Sequence, residues 1–597
     1  MSARKPYGGS ARKLVMAFDV GTTFSGVSYC ILDPGAVPEI RGVTRFPGQA
    51  KVGGDSKIPT ILYYDQQGNV CAVGDEANEE GIEQIAEEKE WTRAEWFKLH
   101  MRPKTKSAAH VTDKIVPLPK GKTVIDVFAD FLRYMYQCAQ KYIEETHANG
   151  VSLWENLRPT SEFVLTHPNG WEGAQQGMVR RAAVTAGLIP DNDAGQARLS
   201  FVTEGEASLH FCIQNGLTNE AIKTGKGIII VDAGGGTIDI STYKQKPNAG
   251  QAFEEIAAPQ CFFKGSIFVT SNAKDFLDKL LQESAYLDDA PDIARRFDKT
   301  TKLRFRDPEE PQYIKFGSLK DKDPLVGIRS GQIRLNGSDI ASFFEPSIQC
   351  IIESIKDQRN ASNTEIASVF LVGGFAASDW LFTKLKQDLA LQGLVVSRPD
   401  SHVNKAVADG AVSFRIDHYV TARVSKFAFG VNCCTEYDAK NPEHISRSYY
   451  KFIGLDGIAK IDGLFSNILP KGSTVNETQE FRRPFLRKRR CRSGLGSFVV
   501  DISCYRGNQI LEAESFTDKD PRMFSTLCSV EADISHIETP AKVATHDFTV
   551  YYIIEFDIVF SFGLTELKAF IAWEENGVEK RSPARVVYDP DAIIADE

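Results

Sequence analysis

Two short stretches of the chain combine a carboxylate, a glycine-bearing turn and a threonine. Phe18-Asp19-Val20-Gly21-Thr22-Thr23 and Val231-Asp232-Ala233-Gly234-Gly235-Gly236-Thr237 follow one plan: an apolar run ending in Asp, a turn of small residues, Thr, then a second run of strand type. Glycine has no Cβ to hold a phosphate away, so such a turn brings backbone N–H groups and hydroxyls to one point. The neighbouring carboxylate can reach a magnesium ion or its waters. Magnesium usually takes one or two carboxylates besides phosphate oxygens and water, so Asp19, Asp232 and Asp239 suit it. Either turn alone reads most simply as a tight connection between strands. Two matching copies in one chain weaken that reading and imply two related lobes, whose hairpins could grip a triphosphate from both sides.

A third stretch, Ser368-Val369-Phe370-Leu371-Val372-Gly373-Gly374-Phe375, runs on through Ala376-Ala377-Ser378 to a predicted helix at Asp379. A buried strand leading to paired glycines at a helix start lets the backbone approach a flat ring or a ribose closely. A packing turn explains it equally well.

These residues need rigid elements to carry them. From Lys13 to about His418, apolar strand-type runs alternate with helical patterns, which points to α/β architecture. Strands are expected at 14–20, 26–31, 60–64, 162–166, 227–232, 238–243 and 369–372. Helices are expected at 123–146, 171–186, 339–356 and 379–391, where apolar residues recur at three- and four-residue steps. After Tyr419 the long helical patterns vanish, and short runs around 427–433, 498–505, 551–560 and 567–573 are separated by turn signals that include Asn576-Gly577. A boundary near residue 420 and an antiparallel β-domain beyond it follow. The length of 597 residues requires this kind of division, since single cores stop growing at roughly 250 to 300 residues.

Composition narrows the function classes. Hydrophobic residues at 42% and charged residues at 25% describe an ordinary water-soluble globular protein rather than a disordered one. A net charge of −9 has the wrong sign for gripping a phosphate backbone, so nucleic acid is not an expected partner. The most apolar stretch, 548–562, is interrupted by Glu555 and Asp557, and no membrane span is expected. Eleven cysteines without a C-x-x-C unit read as reduced core thiols of a cytosolic or nuclear protein.

The three motifs, in this order and at these spacings, resemble the phosphate-1, phosphate-2 and adenosine elements of the superfamily of actin, sugar kinases and the 70-kDa heat-shock proteins. Asp19 to Ser25 and Asp232 to Asp239 look most like the heat-shock branch. The run Val202-Thr203-Glu204-Gly205-Glu206-Ala207-Ser208 is similar to the family's first connection, and Ala406-Val407-Ala408-Asp409-Gly410-Ala411 to its second. The resemblance implies a two-lobed actin-like ATPase with duplicated ribonuclease H-like lobes: lobe I at about 14–222 and 395–418, lobe II at about 223–394. It also implies ATP or ADP with Mg2+ in the cleft. Asp19, Asp232 and Asp239 would order the metal and its waters. Gly21, Thr22, Thr23, Gly234, Gly235, Gly236 and Thr237 would hold phosphate oxygens or place the attacking water, with Glu204 as candidate base. Gly373, Gly374, Phe375 and Ser378 would face the adenosine. Lys98 resembles the family's catalytic lysine, and a solvated helix lysine is its bland alternative. Gly205 stands where the family has proline. The helix at 292–305 matches the adenine-contacting element only loosely, so Asp298 and Lys302 serve there or lie on a surface helix.

Residues 419–590 resemble the peptide-binding β-domain of those chaperones, with Leu464, Phe465, Phe498 and Val499 as candidate lining of a groove for extended peptides. Sandwich core is the plainer role for at least two of them. Residues 1–13 and 591–597 are expected as tails, the first disordered. The chain ends at Glu597 soon after its last strand, so no helical lid is expected, as in the atypical animal and fungal members. Gly121-Lys122-Thr123 is not a P-loop, because Val116 stands where the first glycine belongs. The basic run 482–492 reads as a solvated hairpin loop before it reads as an import or anion-binding patch.

The resulting expectation is an ATP-binding, weakly hydrolysing chaperone-like protein whose nucleotide state is coupled to the β-domain, with extended peptides and co-chaperones as partners. A sugar-type kinase of the same superfamily and a non-catalytic nucleotide-binding scaffold stay open.

Overall fold

The computed structural model describes residues 4–49, 56–103, 115–171, 173–216, 225–247, 252–399, 405–491, 496–534, 537, 540–544, 546–562, 566–582 and 587–588. The chain divides into two compact units, one of Met1–Trp171 with Met178–Val420, the other of Glu172–Gly177 with Thr421–Glu597.

The first unit holds a pair of sheets with the same connectivity. In one, Lys13–Val20 pairs antiparallel with Phe24–Leu32 and parallel with Glu162–His167, which pairs parallel with Leu199–Thr203. Arg41–Gly42 and Lys57–Pro59 add antiparallel pairs to Phe24–Leu32. In the other, Gly227–Ala233 pairs antiparallel with Ile238–Gln245 and parallel with Ile366–Val372, which pairs parallel with Val395–Ser397; Phe253–Phe262 extends the hairpin side. Each sheet thus centres on a hairpin whose first strand is continued, on the side away from its hairpin partner, by two successive parallel strands. Those central strands are buried on both faces, Leu14 to Phe18 and Ile229 to Val231 being fully buried, which is why they read as unbroken apolar runs rather than alternating ones.

Each sheet has its own core. Phe18, Phe97, Phe131 and Phe163 lie in the first, with the helix Val124–Thr146 over them. That helix starts at Thr123, whose side chain accepts the Asp126 N–H while Asp126 accepts the Thr123 N–H, a reciprocal cap. Ile229, Phe297, Phe344 and Leu371 lie in the second core. The helix Gly337–Ala361 covers it. The helices Glu204–Gln214 and Ala406–Asp417 cross so closely that a Cβ on Gly410 would stand 1.8 Å from the Ala207 carbonyl oxygen. Only glycine fits there.

Three expectations are corrected here. Residues 4–12 were expected within a disordered tail, yet Arg4 pairs with Asp417 at 3.0 Å and the Tyr7 N–H donates to Ala36 at 2.8 Å. A largely buried ion pair and a backbone bond hold that segment against the sheet unit. The helix at 292–305 is Ala290–Arg296, a π-helical turn Phe297–Thr301, and Lys302–Arg304. Fully buried Phe297 and Phe305 draw this turn inward, so Lys302 is 5% exposed and not a surface residue. The boundary near 222, the tail at 591–597 and Arg492 lie outside the described residues.

In the second unit the strands pair antiparallel. Ala428–Glu436 lies between Ala459–Leu469 and Ser497–Tyr505, and Phe524–Asp533 pairs with Ser497–Tyr505. A second sheet runs Glu480–Arg489, Val550–Phe562, Leu567–Glu575, Val578–Arg581. Its last hairpin turns at Asn576 and Gly577, with φ of 52° and 75°, the left-handed pair that a two-residue turn of this type requires. The third correction concerns the basic run: Glu480–Arg489 is a strand, not a hairpin loop. Two neighbouring arginines on opposite faces find acids, Arg482 with Glu579 at 2.9 Å and Arg483 with Glu514 at 2.7 Å. Leu464, Phe465 and Phe498 are buried, whereas Val499 is 53% exposed, so only Val499 of the four is open to solvent. No helix among the described residues is long and apolar enough to cross a membrane.

Candidate functional site

Both glycine-bearing turns belong to the first unit, and they touch. A Cβ built on Gly235 would lie 2.3 Å from Thr23 Oγ1, and one on Gly236 would lie 2.4 Å from Thr22 Oγ1. Neither position admits a side chain without moving the threonine opposite. The first turn is braced by the Gly21 N–H donating to Ser25 Oγ at 3.2 Å, the second by the Gly234 N–H donating to the Thr237 carbonyl at 2.9 Å. The helix Ser266–Leu280 begins directly behind the second turn, where the Ser266 and Ile267 N–H groups donate to the Gly234 and Gly235 carbonyls at 3.1 and 3.0 Å.

Strand register aligns the carboxylates behind these turns. Asp232 and Asp239 are direct cross-strand partners, and Asp19 faces Gly26. Asp19 Oδ1 accepts the Thr166 hydroxyl at 3.0 Å, and Asp19 Oδ2 accepts the Lys57 ammonium at 2.8 Å. Asp232 Oδ2 accepts the Ser208 hydroxyl at 2.7 Å. Asp239 Oδ1 accepts the Asn169 N–H at 2.6 Å, while its Oδ2 is buried with no hydrogen-bond partner among the described residues. Lys98, in the short helical segment Phe97–Met101, donates to Glu204 Oε1 at 2.6 Å and lies 5.4 Å from the Trp171 ring centre.

Burial and like charges govern the electrostatics. Burial pushes Asp232 up to about 7, and Glu204 and Asp19 add to the rise. Asp239 is held well above the usual carboxylate range, first by burial and then by Glu204. Burial also raises Glu204, with Lys98 opposing and Asp19 reinforcing. For Lys98 burial works toward the neutral form, but Glu204, Asp19 and Asp239 outweigh it and hold the ammonium charged. Asp19 therefore bears on Asp232 within one cluster. Four carboxylates face two ammonium groups, Lys57 and Lys98, and this crowding with burial makes Asp232 and Asp239 hold protons more readily than solvated carboxylates.

Asp19, Thr22, Thr23, Lys98, Glu204, Asp232, Gly234, Gly235, Gly236, Thr237 and Asp239 are thus brought together, and Lys98 is 3% exposed rather than a solvated helix lysine. Gly373 joins them: at φ 89° a Cβ there would lie 2.3 Å from Asp232 Oδ1. Gly374 opens the short turn Gly374–Ala377. Phe375 is buried with its ring against Phe344, and the Ser378 hydroxyl caps the helix Asp379–Ala390, so these two do structural work. Lys302 pairs with Asp298 and donates to Thr270 Oγ1 at 3.2 Å.

Sequence reasoning missed Lys57, Thr166, Asn169 and Ser208. Lys57 lies in no motif, and its role follows only from strand pairing opposite Gly26. The Gly205 departure has a steric cause, since a Cβ there would stand 2.4 Å from Ser241 Oγ and 3.0 Å from Asn169 Oδ1.

The donor set suits a hard divalent cation held largely through water. No group of three or more His, Cys, Asp or Glu among the described residues is arranged to hold a metal directly, but magnesium takes one or two carboxylates and keeps several waters. The unpartnered Asp239 Oδ2 and the crowding of carboxylates that raises Asp232 and Asp239 are what such an ion would relieve.

No protein-family model matches the chain. Among characterised proteins it is similar to heat shock 70 kDa protein 12A of Homo sapiens and of Mus musculus, each 23% identical over 514 residues that span 72% of this chain and 73% of the relative. It is also 23% identical over 575 residues to human heat shock 70 kDa protein 12B, spanning 82% of this chain and 80% of the relative. With two turns of one plan meeting over a carboxylate cluster, the chain is a distant homologue of these 70-kDa heat shock proteins.

Proposed function

We propose that this chain binds ATP between two actin-like lobes, one per sheet of the first unit, and hydrolyses it slowly in the manner of a 70-kDa heat-shock protein. The observation that carries the reading is the meeting of Thr22 and Thr23 with Gly236 and Gly235 in front of Asp19, Asp232, Asp239 and Glu204. A site built for phosphate needs side-chain-free backbone, hydroxyls and carboxylates for the metal at one point, and these are the residue types present.

In this reading the N–H groups and hydroxyls of Gly21 to Thr23 and of Gly234 to Thr237 hold phosphate oxygens. Asp232 and Asp239 hold magnesium or its waters, with Asp19 beside them. Magnesium, when bound, offsets charge on the phosphate oxygens. Water attacks the terminal phosphorus, Glu204 takes its proton, and the bond to the bridging oxygen breaks to release ADP. Burial makes Glu204 a stronger base than a solvated carboxylate, and Lys98 keeps it oriented. Gly373 and Gly374 give the adenosine side of the site its close backbone approach. The second unit serves as a β-domain for extended peptide segments, responsive to nucleotide state and to co-chaperones, in the cytoplasm or nucleus, without membrane or nucleic acid.

One observation favours a second reading, a nucleotide-binding scaffold without turnover: both oxygens of Asp19 already accept protein donors. Magnesium-dependent ATP turnover of the wild type against Asp19→Ala and Thr237→Ala separates the two. Slow turnover that falls about tenfold or more in both variants supports the ATPase, a loss of roughly 1.4 kcal/mol of transition-state stabilisation. ATP binding with equal, background turnover in all three supports the scaffold. Phosphorylation of a sugar or polyol faster than ATP hydrolysis would make the chain a kinase.

A further inference from the structure

Lys57 is the one ammonium in the cluster that no motif announced, and its placement is built from several contacts. The strand Lys57–Pro59 pairs with the start of Phe24–Leu32, setting Lys57 opposite Gly26. A Cβ on Gly26 would lie 3.3 Å from Lys57 Cγ and 3.8 Å from Cε, so the missing side chain makes the slot in which the lysine stem lies. The same segment is laced to the first glycine turn. The Thr60 N–H donates to the Thr23 carbonyl at 2.8 Å, and the Thr60 hydroxyl meets Ser25 Oγ at 2.7 Å, the oxygen that also accepts the Gly21 N–H. Lys57 and the Gly21-Thr22-Thr23 turn therefore form one braced piece. The ammonium ends on Asp19 Oδ2, with the lysine side chain 14% and the aspartate 4% exposed.

Resting on the nucleotide-site reading above, we propose that Lys57 is a phosphate-binding residue of this site, a fixed cation at the Asp19 turn that lets the chain hold nucleotide with little need for divalent metal. At the Asp19 side the Lys57 ammonium offsets the Asp19 carboxylate, a charge a metal would otherwise have to balance. The metal-ordering role falls to the Asp232 and Asp239 side, where Asp239 Oδ2 is left without a partner. A buried ammonium beside phosphate is worth more than the same ion in water, because the low local dielectric strengthens the attraction.

The test is calorimetric titration of ADP and of ATP into the full chain, in magnesium and in EDTA, for the wild type, Lys57→Arg, Lys57→Met and the charge-neutral double variant Lys57→Met with Asp19→Asn. The double variant is included because Lys57→Met alone leaves Asp19 buried without its cation and can unfold. The wild type and Lys57→Arg should change affinity by less than about threefold between magnesium and EDTA, and both variants lacking the cation should bind about tenfold or more weaker in EDTA. Two results overturn the proposal: a wild type that loses affinity about tenfold in EDTA, or a double variant that binds in EDTA as the wild type does. Failure of the wild type to bind nucleotide in either buffer would defeat the nucleotide-site reading as well, which the first two results leave standing.

Discussion

Lys98 Nζ lies 2.6 Å from Glu204 Oε1, joining two buried side chains 106 positions apart in the chain. Their partnership is a consequence of burial: both charges are largely withdrawn from solvent, so each depends on the other. Removing one partner leaves an uncompensated buried charge. Lys98→Met should therefore cost about 3–5 kcal/mol of unfolding free energy, while the double variant Lys98→Met with Glu204→Gln should recover most of that loss. Urea denaturation of the four proteins in the cycle measures it. Simple additivity would mean that the two side chains do not depend on each other.

The contact between the two glycine turns makes a steric prediction. Gly235→Ala drives a methyl group into Thr23, whose Oγ1 would be 2.3 Å away. Overpacking of this kind costs about 1–3 kcal/mol, and Thr23→Ala should relieve only part of it because the Thr23 Cβ is itself 3.0 Å from the new methyl. Thermal melts of the single and double variants check the order of stabilities: wild type first, the double variant second, Gly235→Ala last.

Much of this was legible beforehand, and the limits have physical causes. The strands carrying Asp19 and Asp232 announce themselves because they are apolar on both faces up to a charge that lies two residues before glycine. Fully buried strands produce continuous runs that survive without any alignment. Thr166 and Ser208 lie in segments the sequence did single out, but their contacts with Asp19 and Asp232, like the roles of Lys57 and Asn169, come from strand register and helix placement across long sequence separations, which no local pattern encodes. Lys302 misled for a related reason: a lysine at helical spacing reads as solvated, and only the burial of Phe297 and Phe305 around the π-helical turn draws it in. The strand Glu480–Arg489 misled because its charges are balanced by acids far along the chain, Glu514 and Glu579.

Asp232 should trade stability for function. Its folded-state value of about 7 lies above the ordinary 3.8, so its stabilising contribution is complete below 3.8 and is lost as pH rises through 7. Above that pH the ionised carboxylate is a liability in the empty protein. Asp232→Asn, which still accepts the Ser208 hydroxyl, should raise the ligand-free unfolding free energy at pH 8 by about 2–4 kcal/mol and by much less at pH 4. Chemical denaturation at the two pH values reads the difference; a variant less stable than the wild type at pH 8 would contradict it.

His167 titrates in the opposite sense. Burial lowers it to about 4 from 6.5, so the unfolded chain binds a proton between those values that the folded chain refuses. Its contribution is intact above 6.5 and declines as pH falls toward 4, a loss of about 3 kcal/mol in all. His167→Gln should flatten the fall of unfolding free energy across that window, measured by denaturation at closely spaced pH values. An unchanged slope would show that His167 takes up its proton in the folded state.

The central claim is that nucleotide phosphates bind where the Thr22-Thr23 turn meets the Gly234–Thr237 turn. A crystal structure of the full chain grown with a non-hydrolysable ATP analogue and magnesium tests it directly. Phosphate density within hydrogen-bonding reach of the N–H groups of both turns, with Asp19, Asp232 and Asp239 around it, is the predicted result. Nucleotide bound elsewhere on the chain, with the two turns still closed on each other, would contradict it.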